Sequence, residues 1–287
     1  MSSSRACTCL SCPTHAEQPV VACPAYRSSS ITDAQWTVLA RLLPPPGNTA
    51  GRGGRPQKHS RRDILDAIFY LVRGGIAWRQ LPAGFPPAST VYDVFRGWVA
   101  DGTWVRIHDT LRDQLRVRAG RSPLPSAAVI DSQSVRGADT VPGTSRGYDG
   151  GKKINGRKRH IAVDTSGLLL AVVVTMAGIQ DRDAAHRLLS ALRAKFSTIT
   201  LVWADGGYAG RLVTWAKQIL TLAVTVIKRS DDITGFHVLP RRWVVERTFA
   251  WISKYRRCVR DYETRPDHHE AMVYIAMIMT MSRRLTR

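Results

Sequence analysis

The sequence predicts an α/β protein with a mixed sheet, preceded by a small all-helical unit. Three observations predict it. Up to about residue 118 the apolar residues recur at helical spacing. Pro123-Leu124-Pro125 then breaks the pattern. Beyond it, short β-branched runs alternate with amphipathic helical stretches, which is the order of a mixed or parallel α/β sheet.

Residues 1–29 read as a disordered tail, or as residues ahead of the true start. Four of the five cysteines lie there, Cys7, Cys9, Cys12 and Cys23, with His15 nearby. Their spacing is not that of a standard zinc finger. Cys258 stands alone and reads as a packed thiol. Helical signals begin with the capping box Thr32-Asp33-Ala34-Gln35, followed by Trp36, Leu39, Leu42 and Leu43, and Pro44-Pro45-Pro46 stops that helix. Residues 47–59 form a glycine-rich loop whose Arg52, Arg55 and Lys58 are suited to run along phosphates. A second helix starts at Ser60, buries Ile64, Leu65, Ile68, Phe69, Leu71 and Val72, and ends at Gly74-Gly75. A third begins near Ser89 with Val91, Val94, Phe95 and Trp98 inward; a fourth covers about 103–118. A unit of this kind can place a helix in a major groove. A purely structural or dimerising helical domain is the alternative.

The second half reads differently. Residues 127–131 form a buried strand ending in an acid, and 137–158 are glycine-rich and basic without a clear period. Residues 159–164 and 168–175 make a hairpin about Ser166-Gly167. A helix over 183–196 has Asp181 or Asp183 as its cap. A strand over 198–204 ends at Asp205-Gly206-Gly207. A helix over 212–220, a strand over 223–227, a helix opened by Pro240 and running to about 257, and a last helix over 267–285 complete the chain. Three strands, helix, strand, helix, strand, helix matches the ribonuclease-H-like fold.

Charge narrows the partners. There are 42 Lys and Arg against 22 Asp and Glu, a net charge of +20. Such a field attracts polyanions, nucleic acid first among them because each neutralised phosphate releases counterions. A membrane surface or a ribosomal location also fits charge alone. No apolar run reaches the roughly 18–20 residues that span a bilayer, and no secretory signal is evident. The expectation is a soluble, cytoplasmic, nucleoid-associated protein with no membrane partner.

Two acids follow apolar runs, in Val129-Ile130-Asp131 and Val202-Trp203-Ala204-Asp205. At the carboxyl end of a strand an acid points into the crevice where ligands bind, or it caps the next turn. The third candidate is Glu246. On a wheel of about 3.6 residues per turn, Val244, Thr248, Trp251 and Tyr255 form an apolar stripe flanked by Val245 and Ile252. Glu246 falls on the far side with Arg242, Ser253 and Arg257. Between Arg241 and Arg260 stand seven Lys or Arg and one acid, which suits a carboxylate aimed at a metal while its neighbours hold phosphate. Phosphodiester cleavage accounts for the set. Two divalent ions about 3.5–4 Å apart activate a water and stabilise the leaving oxygen. Magnesium takes carboxylates, waters and substrate phosphate in preference to a full protein cage. Lys152, Lys153, Arg157, Lys158 and Arg159 are expected to contact phosphate beside that site. Asp164 reads as a turn residue and Asp181 as a cap or site neighbour. His268-His269-Glu270 reads as a polar helix start, because adjacent histidines point to different helix faces.

The stretches ITDAQW, GRGGRP, DILDAIFYLVRGGIAWRQLP, VIDSQSV, GYDGGKKINGRKRHIAVDTSGLLL, DRDAA, ADGGYAG, RRWVVERTFAWISKYRR and HHEAMVYIAMIMTMSRRL together carry a resemblance. Over about residues 30–285 the chain resembles the DDE transposases of the insertion sequence 5 family, with an insertion sequence 4-like catalytic domain. The resemblance implies that Asp131, Asp205 and Glu246 are the catalytic carboxylates and hold Mg2+, as two ions, with Mn2+ able to substitute. It implies double-stranded DNA as partner, both the terminal inverted repeats of a mobile element and the target, and a homo-oligomer assembled on that DNA. It implies that a 3′-OH freed at the element end attacks target DNA. The family signature Y-x2-R-x3-E-x6-K is partly kept: Arg242 precedes Glu246, Leu239 stands at the tyrosine position, Ser253 at the lysine position, and Lys254 one residue later. Arg242, Lys254 and Arg257 are the DNA-facing bases of that helix. The domain expectation is a tail over 1–29, a helical DNA-binding domain over 30–119 and a ribonuclease-H-like catalytic domain over 124–287. A catalytically inactive DNA-binding regulator and another ribonuclease-H-like nuclease remain as alternatives; a basic structural protein would leave the strand-end acids unexplained.

Overall fold

A computed structural model describes residues 29–45, 57–227 and 243–287. The N-terminal cysteines, Arg52, Arg55 and Arg242 lie outside the described residues. Four helices come first: α1 (Asp33–Ala40), α2 (Arg61–Gly74), α3 (Ala88–Ala100) and α4 (Thr103–Arg118). The capping box forms as expected, with the Thr32 hydroxyl accepting from the Gln35 amide and the Gln35 side chain reaching back. The Ser60 hydroxyl caps α2, and Gly75 ends it in the left-handed region at φ 72°.

Six strands follow: β1 (Ala127–Arg136), β2 (Gly147–Asp149), β3 (Ile154–Val163), β4 (Leu169–Met176), β5 (Leu201–Ala204) and β6 (Ala223–Val226). Between and after them lie α5 (Asp181–Lys195), α6 (Arg211–Leu220), α7 (Trp243–Ser253) and α8 (Pro266–Leu285). β1 lies in the middle of one mixed sheet. It pairs antiparallel with β3 on one side and parallel with β5 on the other, and β6 extends the parallel side. The outer edge of β3 pairs first with β2 and then with β4.

Period-two alternation divides the core. Ala128, Ile130 and Ala162 face one layer with Leu188 and Leu189 of α5 and Leu212 of α6. Val129, Ile161, Val163 and Trp203 face the other layer with α7 and α8. α8 is buried at every residue from Ala271 to Met279. It packs against all four N-terminal helices as well as α7 and β4. One continuous core therefore joins the helical unit to the sheet. Polar links cross the same seam: a buried Arg116–Asp164 ion pair, Gln35 Nε2 to Ser282 Oγ at 3.0 Å, and Arg257 Nη1 to the Ile76 carbonyl at 2.9 Å.

Three expectations are corrected. β1 does not end at Asp131; it runs on to Arg136 because β3 pairs with it along its length, Asp131 opposite Ile161 and Arg136 opposite Gly156. α5 starts at Asp181 after Gln180, which makes no side-chain cap bond, so neither Asp181 nor Asp183 is the cap. α7 stops at Ser253, so Arg257 sits in a following 3-10 turn and not on the face of Glu246. Among the described residues no helix is long and apolar enough to cross a membrane.

Candidate active site

The parallel pair β1–β5 sets the geometry. Val129 beside Trp203 is the last pair in register. Two residues further on stand Asp131, still within β1, and Asp205, one residue past the end of β5. The Asp131 carboxylate accepts from the Ser132 amide at 2.7 Å. The Asp205 carboxylate accepts from the Gly207 amide at 2.9 Å, closing the 3-10 turn Gly206–Tyr208. A Cβ at Gly207 would come 3.1 Å from Asp205 Oδ1 and 3.9 Å from Asp181 Oδ2. Glycine there keeps the space between those two carboxylates clear.

Asp181, on the first turn of α5, is no cap but a neighbour of this pair. Its Oδ1 accepts from Ser132 Oγ at 2.8 Å and lies 3.1 Å from Lys158 Nζ. Lys158 also donates to the Ile179 carbonyl at 3.0 Å and stands 3.6 Å from Asp149 Oδ2. Asp149 in turn accepts from Ser134 Oγ, and that bond is the largest cause of a carboxyl held below its ordinary range. Tyr208 is buried below the group. Its hydroxyl is raised well above the ordinary tyrosine value, first by burial and then by the charges of Asp131, Asp181 and Asp205. His160 of β3, 3.0 Å from Thr175 Oγ1 of β4, is pushed down to about 4 by burial, so it is neutral at pH 7.

Glu246 is exposed on α7, whose Val244, Val245, Thr248, Phe249 and Ile252 are buried. The helix is seated on the β3–β4 turn, with Thr248 Oγ1 donating to the Gly167 carbonyl at 2.8 Å. Among the described residues no three His, Cys, Asp or Glu side chains are close enough to share a metal ion. Asp205 and Asp181 border the same space over Gly207, and Asp181 meets Asp131's neighbour Ser132.

The basic candidates divide sharply. Lys152 and Lys153 are exposed at the β2–β3 turn, as are Lys58 and Lys254. Phosphate contact is corrected for Arg157, Arg159 and Arg257. Arg157 is buried and spends its guanidinium on Asp261, Ser145 and the carbonyls of Glu263 and Thr264. Arg159 is buried on Gln133 and the Cys258 carbonyl. Arg257 is buried on Glu263 and Ile76. Lys158 faces the carboxylates and not the surface. Sequence reasoning missed Ser132, Ser134, Asp149 and Tyr208. The alternating serines of β1 were the available signal, but polar residues after an apolar run read as a strand end.

Residues 122–281, more than half of the chain's 287, match the family model described as the transposase DDE domain. The chain belongs to the DDE transposase family. Residues 31–108 match a second model, described for candidate transposases of the IS4/5 family. An uncharacterized 16.2 kDa protein of insertion element IS402 from Burkholderia cepacia is 35% identical over 108 residues, which are 37% of this chain and 72% of that protein. A candidate transposase for insertion sequence element IS402, also from Burkholderia cepacia, is 30% identical over 125 residues; the match covers 41% of this chain and 59% of that relative. The uncharacterized protein y4sN of Sinorhizobium fredii is 29% identical over 120 residues, covering 42% of this chain and 86% of that protein. The DDE family and insertion-sequence relatives agree with the resemblance carried by the sequence motifs.

Proposed function

We propose that this chain cleaves DNA at the ends of a mobile element and joins the freed ends to target DNA, using Mg2+. The observation that carries the reading is that Asp131 and Asp205 each come two residues after the paired Val129 and Trp203 of adjacent parallel strands, in a member of the DDE family. The mixed sheet with its central β1 supports a ribonuclease-H-like catalytic domain. The residues fit a hard divalent cation. The Tyr208 hydroxyl is raised first by burial and then by the charges of Asp131, Asp181 and Asp205, and magnesium uses one or two protein carboxylates and completes its shell with water and substrate phosphate. Asp131 and Asp205 would hold the ion, with Glu246 as the third ligand from α7. When bound, the metal supplies an activated nucleophile and charge stabilisation at the phosphorus.

The chain's own residues do the rest. Asp131 and Asp205 are each held by a backbone amide, from Ser132 and Gly207. Lys152, Lys153 and Lys254 are exposed bases suited to hold the strand phosphates, and the helical unit with Lys58 is suited to bind the terminal repeats. The shared core would then fix the distance from repeat to cut, and a homo-oligomer would pair two ends.

The test is a cleavage and joining assay on the element's own ends with Mg2+, using Glu246→Gln. The variant keeps shape and loses charge, so DNA binding should hold or rise while nicking falls at least about a thousandfold. Near wild-type nicking would move the third carboxylate elsewhere. Cutting without joining would favour another nuclease of the same fold.

A further inference from the structure

We infer that Asp181 is a positioning residue of the proposed site, fixing Asp131 through Ser132 and held in place by the buried ammonium of Lys158. The inference rests on the metal-dependent reading above and names a residue which that reading does not require.

The geometry runs as a chain of contacts. The Ser132 amide holds the Asp131 carboxylate at 2.7 Å. The Ser132 hydroxyl points to the opposite sheet face and donates to Asp181 at 2.8 Å. Lys158, 7% exposed, bridges Asp181 at 3.1 Å and Asp149 at 3.6 Å, and Asp149 takes the hydroxyl of Ser134. The two serines flanking Gln133 are thus gripped by carboxylates from α5 and β2, and one ammonium ties those carboxylates together. β1 carries Asp131 on one face and is clamped from the other. The second arm reaches Asp205: Asp181 Oδ2 and Asp205 Oδ1 border the same side-chain-free space over Gly207.

A carboxylate fixed in this way changes how well its neighbours hold a cation. Partners behind metal ligands set their orientation, and losing one costs about 10–100-fold in metal affinity or activity. A role limited to folding stability would lower melting temperature without moving the cation concentration the enzyme needs. Asp181 and Asp131 are therefore separable by experiment.

The experiment compares Asp181→Asn, Ser132→Ala, Lys158→Arg and Asp131→Asn in the full chain. Thermal melting is followed against Mn2+ without DNA, and nicking of the element's ends against Mg2+. For Asp181→Asn the cation concentration giving half the melting shift, and that giving half-maximal nicking, should both rise about tenfold or more. Ser132→Ala, which removes only the serine–aspartate bond, should move both in the same direction. Lys158→Arg should keep most of the wild-type dependence, since it keeps the positive charge. Wild-type cation dependence in both Asp181→Asn and Ser132→Ala overturns the inference, whatever their melting temperatures. If Asp131→Asn leaves the cation responses unchanged, the site itself is misplaced; if only Asp131→Asn alters them, the inference fails and the site stands.

Discussion

Asp131 and Asp205 each come two residues after Val129 and Trp203, the last pair joining the parallel strands β1 and β5. Groups held this way act as a unit. Asp131→Asn and Asp205→Asn should each lower nicking at least about a thousandfold, each ~1.36 kcal/mol being tenfold. The double variant should be little worse than either single one. Single-turnover nicking beside a mobility-shift assay reads this; losses that multiply would show the two carboxylates working independently.

Gly167 stands at φ 81°, and a Cβ there would meet Thr248 Oγ1 at 3.0 Å and both Arg247 and Trp251 at 3.2 Å. The turn is the seat of α7. Gly167→Ala is strained in its own backbone and presses on the helix that carries Glu246. A loss of about 1–3 kcal/mol is expected, with nicking reduced beyond the unfolded fraction. A stable variant with unchanged nicking would mean that the seat of α7 does not govern Glu246.

The Arg116–Asp164 pair is buried on both sides. Asp164 also accepts from the Ser166 and Leu168 amides at 2.8 and 2.9 Å. Asp164→Asn strands the guanidinium in the core and should cost about 3–5 kcal/mol. Adding Arg116→Met removes the stranded charge and should recover part of that loss. Urea midpoints of the single and double variants decide it; a double variant worse than the single one contradicts the argument.

Burial pushes both His108 and His160 down to about 4, below the ~6.5 of an unfolded chain. Between those values the unfolded state binds more protons, so stability falls as pH falls. The contribution is complete above about pH 6.5 and is lost toward pH 4, at up to about 1.4 kcal/mol per pH unit for each histidine. His108→Phe, which keeps a ring against Tyr274, should flatten urea midpoints between pH 6.5 and 5. An unchanged slope would show that His108 does not titrate as its burial demands.

Exposed and buried bases should separate by salt dependence. Lys152→Ala with Lys153→Ala should weaken binding to any DNA sequence and reduce the salt slope by about one per lost phosphate contact. Arg157→Ala should instead unfold the region around Asp261, Glu263 and Thr264, lowering melting temperature. Fluorescence anisotropy across salt concentrations reads the first and calorimetry the second; a salt slope unmoved by the lysine pair would make it a solvated face.

The helices were legible because caps and apolar spacing are local signals. Thr32, Ser60 and Gly75 mark boundaries the structure keeps, and Asp205 was visible because glycines follow it. The far half of β1 was hidden. Ser132, Gln133 and Ser134 are polar, and their burial depends on partners remote in sequence, Asp181, Arg159 and Asp149. For the same reason GRKRH read as a phosphate-binding run. In an exposed loop it would be one, but on the inner strand β3 its Arg157 and Arg159 are consumed by the C-terminal segment. Charge type is written in sequence; which acceptors fold back to meet it is not.

α8 belongs to both halves of the core. The four N-terminal helices therefore keep apolar faces uncovered until α8 reaches them. A chain cut short ahead of Pro266 would lose the helix that both halves share, so the N-terminal helices should not fold as an independent fragment.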